Sequence, residues 1–104
     1  MKEEFCIMPS NPPYWYNKRF NGSERHEVWE GRVGNRDKSI KDGLVIFTTP
    51  QLHRLNKDFS IHLTHKKWEE ETSMQKISVE VWCKYYNKTE EDFRKKYGKL
   101  PLWE

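Results

Sequence analysis

The chain has few aliphatic residues, little cysteine and no long apolar run, and each shortage narrows what it can be. Its two cysteines, Cys6 and Cys83, are too few and too far apart for a disulfide framework, which excludes a small stapled scaffold. No apolar run approaches the roughly 20 residues that cross a bilayer. The opening residues Met1-Lys2-Glu3-Glu4-Phe5 carry no apolar stretch of the signal-peptide kind. The expectation is therefore a soluble, intracellular protein with no membrane partner. There is no internal repeat and no low-complexity segment. Charge of one sign is also in short supply. Charged residues make up 34% of the chain, but both signs are mixed throughout and the formal net charge is only +3. That permits a nucleic-acid partner without demanding one, and suits an acidic protein partner equally.

What the chain does have is rings: five each of Trp, Tyr and Phe in 104 residues. One domain of this length buries a modest core, and here the core is expected to rest on aromatics. Tyr14-Trp15-Tyr16, next to Pro12-Pro13, reads either as a core or loop anchor or as a contact surface. Trp15 and Trp103 are the two candidates for contact with a protein partner.

A short strand is expected at Phe5–Met8, stopped by Pro9, and a turn at Asn21-Gly22. Glu24 to Trp29 alternates weakly and reads as a strand, broken by Gly31 and Gly34. Asn35 to Lys41 is polar and basic and reads as loop. Asp42-Gly43 signals a turn, and Leu44-Val45-Ile46-Phe47 is the clearest strand in the chain. The two strands are expected to pair as an antiparallel hairpin. Thr48 or Thr49 suits an N-cap, with Pro50 at the first position of a short helix running to about Lys57. A longer helix is expected from about Thr64 to Tyr86, with Met74, Ile77, Val81 and Tyr85 toward the core. Thr89 caps a last helix whose first turn holds Glu90, Glu91 and Asp92. Phe93 and Tyr97 form its apolar pair and Gly98 ends it. The fold class expected is α+β: one domain with an N-terminal segment over 1–23, a ββα core over 24–62 and two further helices over 64–98.

The chemistry concentrates between Arg25 and His62. His26 closes the first strand, His53 lies on the helix after the second, and His62 comes near if the chain turns back. Three imidazoles so placed suit one divalent metal with positions left open for water and a phosphate oxygen. Each of the four histidines, taken alone, is more often a surface or hydrogen-bonded residue than a ligand, and His65 has no partner argument. Arg32, Arg36, Lys38 and Lys41 suit phosphate binding or a solvated loop.

Arg25-His26-Glu27-Val28-Trp29, Gly31, Asn35-Arg36, Ser39-Ile40, Gly43-Leu44-Val45 and Pro50-Gln51-Leu52-His53 together resemble a set of small HNH-like proteins of phages and prophages. The tail from Trp82 to Gly98, with Tyr85-Tyr86, Lys88-Thr89, Glu91-Asp92-Phe93 and Lys96-Tyr97-Gly98, is similar to the end of the same proteins. The resemblance covers about Arg25 to Gly98. It implies the ββα-metal fold of HNH endonucleases, with one divalent metal on His26, His53 and His62. Glu27 falls where the family usually carries the histidine that activates water, and a carboxylate is also able to act as a base. Asn35 matches the loop asparagine, so the implied catalytic residues are His26, Glu27 and Asn35. Members of this set often carry a cysteine zinc knuckle. Here Pro9 stands three residues after Cys6, Thr49 replaces the later cysteine and Leu52 replaces one of two histidines, so no structural cysteine-type zinc site is expected. Two functions follow. One is a metal-dependent DNA endonuclease. The other is a catalytically inactive relative that binds DNA, through the loop and the basic last helix, or binds a host defence nuclease such as a CRISPR effector.

Overall fold

Glu24–Glu27 (β1) and Val45–Thr48 (β2) form an antiparallel two-stranded sheet, with Glu24 opposite Thr48, Arg25 opposite Phe47, His26 opposite Ile46 and Glu27 opposite Val45. The structure is a computed structural model and describes residues 4–30 and 34–98. Around the hairpin lie α1 (Asn35–Asp42), a π-helical turn (Gln51–Leu55), α2 (His65–Thr72), α3 (Met74–Tyr86) and α4 (Glu90–Tyr97). The class is α+β. The radius of gyration, 13.1 Å, is about that of a compact fold of 100 residues.

β2 is buried along its whole length, as its unbroken apolar run requires. Its outer edge is covered by the N-terminal segment. Tyr16 N donates to Phe47 O at 2.8 Å, and Phe47 N returns the bond to Tyr16 O at 2.9 Å. Residues 5–8 do not form the expected strand. They lie against the α1–β2 turn instead, where Ile7 N donates to Gly43 O at 2.9 Å. Gly43 has φ +80°, and a Cβ there would stand 3.1 Å from Ile7 N, so both its conformation and the close approach require glycine.

Two expectations about the elements are corrected. Residues 35–42 form a helix rather than a loop. The buried positions of α1 are Asn35, Ser39 and Asp42, which recur at helical spacing but are polar, so no hydrophobic stripe announces them. Ser39 Oγ donates to Leu44 O at 2.6 Å. Asn35 Nδ2 donates to Tyr97 O at 2.9 Å. The Asp42 carboxylate accepts from Trp82 Nε1 at 2.9 Å, Lys96 Nζ at 2.8 Å and Tyr97 Oη at 2.7 Å. Hydrogen bonds, not apolar contacts, thus seat this helix against α3 and α4.

The single helix expected over 64–86 is divided at Ser73, which takes the left-handed conformation with φ +54°. The Glu69 carboxylate caps the new N-terminus, accepting from Gln75 N at 2.8 Å and Lys76 N at 3.2 Å. The core face of α3 is Met74, Ser78, Val79 and Trp82; Tyr85, expected inward, is 58% exposed. Three helices therefore follow the hairpin core where two were expected. α4 agrees with its sequence signals. Thr89 and Asp92 form a reciprocal capping box, and Gly98 closes the helix in the left-handed region. Phe93 and Tyr97 are buried and stacked at 4.4 Å.

The core is built on rings, as the composition implies: Trp15, Trp29, Trp68, Trp82, Phe93 and Tyr97 are all buried. Trp15 is 0% exposed and its indole donates to Pro9 O at 2.7 Å. Its candidacy as a contact residue is thereby overturned, since a fully buried ring offers a partner no surface. No helix among the described residues is long and apolar enough to cross a membrane.

Candidate metal centre

β1 brings His26 to the sheet face that meets the π-helical turn. Pro50 leads that turn with φ −55°, Thr49 O accepts from His53 N at 2.9 Å, and Thr49 Oγ1 accepts from Leu52 N at 3.3 Å. The turn stops at Asn56, whose side chain accepts from Asp58 N and Phe59 N, both at 2.9 Å. That bend returns the chain: Ile61 N donates to Leu52 O at 2.8 Å and His62 N to His53 O at 3.2 Å. Residues nine apart in sequence are thereby laid side by side.

The three imidazoles converge. His26 Nδ1 lies 3.3 Å from His53 Nε2, which lies 2.8 Å from His62 Nε2. One nitrogen of each histidine stands within 4.8 Å of the others. Nitrogens around a tetrahedral divalent ion stand about 3.3 Å apart at ordinary bond lengths, so the donor set has the right chemistry and nearly the right spacing.

Two carboxylates stand behind two of the rings. His53 Nδ1 lies 3.0 Å from Glu24 Oε1 and His62 Nδ1 lies 3.2 Å from Glu30 Oε1. With the His53 Nδ1–H donated to Glu24, its Nε2 is the ring's acceptor. That nitrogen faces His62 Nε2 across 2.8 Å, where the two rings share either a proton, in a hydrogen bond, or a metal cation in its place. Carboxylate-to-imidazole bonds of this kind orient metal-binding histidines and raise their basicity. Glu24 is itself gripped by Arg54, through Nε at 3.0 Å and Nη2 at 2.9 Å. Those bonds, with His53, lower its carboxyl to about 2. His26 is fully buried; desolvation first, then the neighbouring histidines and Arg36, hold its pKa well below the usual imidazole value. Burial also lowers His62, against the opposing pull of Glu30. Both rings are shifted toward the neutral form, the one that binds metal.

Of the triad, His26 lines a cleft of about 360 Å³ whose walls also include Glu30, Arg36 and His65; His53 and His62 do not line it. The other sequence candidates are placed differently. Glu27 is buried beyond the triad's face of β1, and its carboxylate is held by Arg36 Nε on one oxygen and Arg25 Nε, at 3.5 Å, on the other. Asn35 is buried on the Tyr97 carbonyl, so it ties α1 to α4 and does not face the triad. Lys38 Nζ donates to Lys96 O at 2.8 Å. Lys41 is exposed on α1. Arg36 is 71% exposed beyond its bond to Glu27. Arg32 and Trp103 lie outside the described residues.

Glu24, Glu30 and His65 were not anticipated. Strand alternation contains the signal for Glu24, two residues before His26 on the same face; nothing in the local pattern marks Glu30. His65, at the head of α2, sits with its ring 6.1 Å from that of His62. Cys6 is apart from all this, its thiol directed to Val45 O at 3.1 Å and raised in pKa by burial.

No family model, curated protein or solved structure matches this chain.

Proposed function

We propose that this chain is a metal-dependent phosphodiesterase of the HNH-like, ββα-metal kind that acts on DNA, with one divalent ion on His26 Nδ1, His53 Nε2 and His62 Nε2. The observation that carries the reading is the convergence of one nitrogen from each of His26, His53 and His62 within 4.8 Å, with Glu24 and Glu30 behind two of the rings. Three protein ligands leave open positions, the mark of a catalytic rather than a structural site. A bound ion would supply Lewis acidity toward a phosphate oxygen and a lowered pKa for its water. The chain's own groups do the rest. Arg36, anchored by Glu27 and exposed at the cleft, binds the phosphate and meets the charge that grows on it. Glu27 acts as the anchor of Arg36 rather than as a base, because it is buried away from the triad and one of its oxygens is bonded by Arg36. His65, exposed in the cleft, is placed to accept a proton from water entering there.

A second reading rests on Glu27. The residue standing where the family resemblance puts the water-activating group is buried and bridged to two arginines. That favours a chain that keeps the metal but has lost cleavage, binding DNA or a host nuclease such as a CRISPR effector. Supercoiled plasmid incubated with Mg²⁺, Mn²⁺, Ni²⁺ or Zn²⁺ separates the two. Cutting that disappears on EDTA treatment and in His26→Ala supports the nuclease. A folded protein that binds one metal per chain and cuts with none of these ions supports the inactive relative.

A further inference from the structure

A second surface forms where the last turns of α1, α3 and α4 meet. It shares no residue with the triad or with the cleft beside it. Asp42, at the end of α1, is the meeting point. Its carboxylate accepts from Trp82 and Tyr97, and its carbonyl accepts from Tyr86 Oη at 3.0 Å. Each of those turns carries lysine: Lys41 in α1, Lys84 in α3, Lys95 and Lys96 in α4. Lys88 follows α3 and, with Tyr86, Lys95 and Lys96, lines an open depression of about 470 Å³. The two acids of that depression are engaged. Asp42 is buried and holds Lys96 at 2.8 Å. Asp92 closes the α4 capping box, accepting from Thr89 N and Thr89 Oγ1, both at 3.0 Å. Lys41, Lys84, Lys88 and Lys95 stand exposed. A neighbouring depression past Cys83 sets Glu80 and Glu90 beside Lys84 and Lys88, which leaves the excess of positive charge on the side of Lys41 and Lys95. Two exposed rings adjoin this surface. Tyr85 is 58% exposed and Phe5 48%, with centroids 6.1 Å apart. Tyr86 backs Tyr85 at 4.8 Å. The Phe5 ring lies over Gly43, so close that a Cβ there would stand 3.0 Å from its Cε2. A single exposed ring is ordinary; two side by side, each braced from behind, present aromatic surface within reach of a ligand.

We infer that this surface holds single-stranded DNA, with bases on Tyr85 and Phe5 and phosphates on Lys41, Lys88 and Lys95. Exposed rings flanked by cations bind single strands by stacking and by neutralising the backbone, whatever the sequence. A duplex hides its base faces, so the rings gain nothing from it. A protein partner fits less well, because lysine is depleted at protein interfaces. The choice of DNA over RNA rests on the reading of the triad as a DNA phosphodiester site; the surface itself does not. α1 joins the two sites. Arg36 in its first turn edges the metal cleft and Lys41 stands in its last, about 7.5 Å further along the helix axis. A strand seated on the rings is thereby led along α1 toward the triad.

The test is equilibrium binding by fluorescence anisotropy, in EDTA so that the triad takes no part. The probes are a short labelled DNA strand, its duplex, the RNA strand of the same sequence and a glutamate-rich peptide. The single DNA strand is expected to bind most tightly. Tyr85→Ala should weaken it about fivefold or more, and Phe5→Ala should act in the same direction. Tyr85→Phe, which keeps the ring, should bind as the parent does. If Phe5→Ala does not fold, Tyr85→Ala decides alone. Replacing Lys88 and Lys95 together by alanine should flatten the slope of log affinity against log salt by about 1.4. Tighter binding of duplex, RNA or the acidic peptide overturns the inference. So does the absence of binding, or a Tyr85→Ala affinity within about twofold of the parent. Metal-dependent plasmid cutting without single-strand binding removes this surface and leaves the nuclease. Tyr85-dependent binding by a protein that cuts with no metal does the reverse.

Discussion

Removing the carboxylates behind the histidines should weaken metal binding without touching a ligand. Glu24→Ala deletes the acceptor that holds His53 Nδ1–H at 3.0 Å, and it also frees the Arg54 guanidinium that Glu24 now neutralises. The ring loses its orientation and some basicity, and an uncompensated cation remains beside a site meant for a dication. Glu30→Ala removes only the 3.2 Å contact to His62. Deletions of this type cost about 10- to 100-fold in metal affinity. Glu24→Ala belongs at the upper end, near 100-fold or about 2.7 kcal/mol, and Glu30→Ala near tenfold or about 1.4 kcal/mol. Both carboxylates are partly exposed, so their effect on metal-free stability should be small. The assay is Zn²⁺ competition against a chromophoric chelator, with unfolding midpoints recorded in EDTA. If both variants bind within threefold of the parent, the carboxylates do not support the metal-binding rings and their assigned role is refuted. A reversed order, Glu30→Ala worse than Glu24→Ala, would refute the role given to Arg54.

Two further outcomes follow from the same geometry. Asp42→Ala strips the acceptor from the buried Trp82 Nε1–H and Tyr97 O–H groups and frees Lys96. At about 1–3 kcal/mol for each of the two buried donors left unpaired, urea unfolding should show a loss of about 2–6 kcal/mol, and a loss under about 1 kcal/mol would refute Asp42 as the hub. In metal-free protein the depressed pKa of His26 means the unfolded chain takes up its proton first. Stability should be full above pH 6.5, the value from which His26 is lowered. It should fall as pH drops through that value, by up to about 1.4 kcal/mol per pH unit. Glu24, lowered from 4.5 to about 2, adds a second loss in the same direction between those values. His26→Asn should flatten the upper limb, and an unchanged pH profile in that variant would count against a neutral buried His26.

Much of the fold could be read along the chain wherever burial and period coincide. Leu44–Phe47 announced β2 because a strand covered on both faces is continuously apolar. Thr89, Asp92, Phe93, Tyr97 and Gly98 announced α4 because caps and an i, i+4 pair are local signals. α1 stayed hidden because its inward face is Asn35, Ser39 and Asp42, whose partners Tyr97, Leu44 and Trp82 lie elsewhere in the chain. The break at Ser73 stayed hidden because its cap is a carboxylate from the preceding helix, outside any local capping pattern.

For the site the division is similar. The residue types and their order, three histidines on a strand, a turn and the segment after it, belong to the sequence alone, as does the reliance on aromatic rings for a core. Which nitrogens meet does not. The Asn56 bend sets His62 against His53. Strand alternation turns Glu27 from the triad and brings Glu24 to it. Only the folded chain brings Glu30 within reach of His62. Ligand identity is chemistry carried by each residue. Ligand distance and ring orientation depend on neighbours far away in the chain, such as Glu24 for His53 and Glu30 for His62, and only tertiary structure places them.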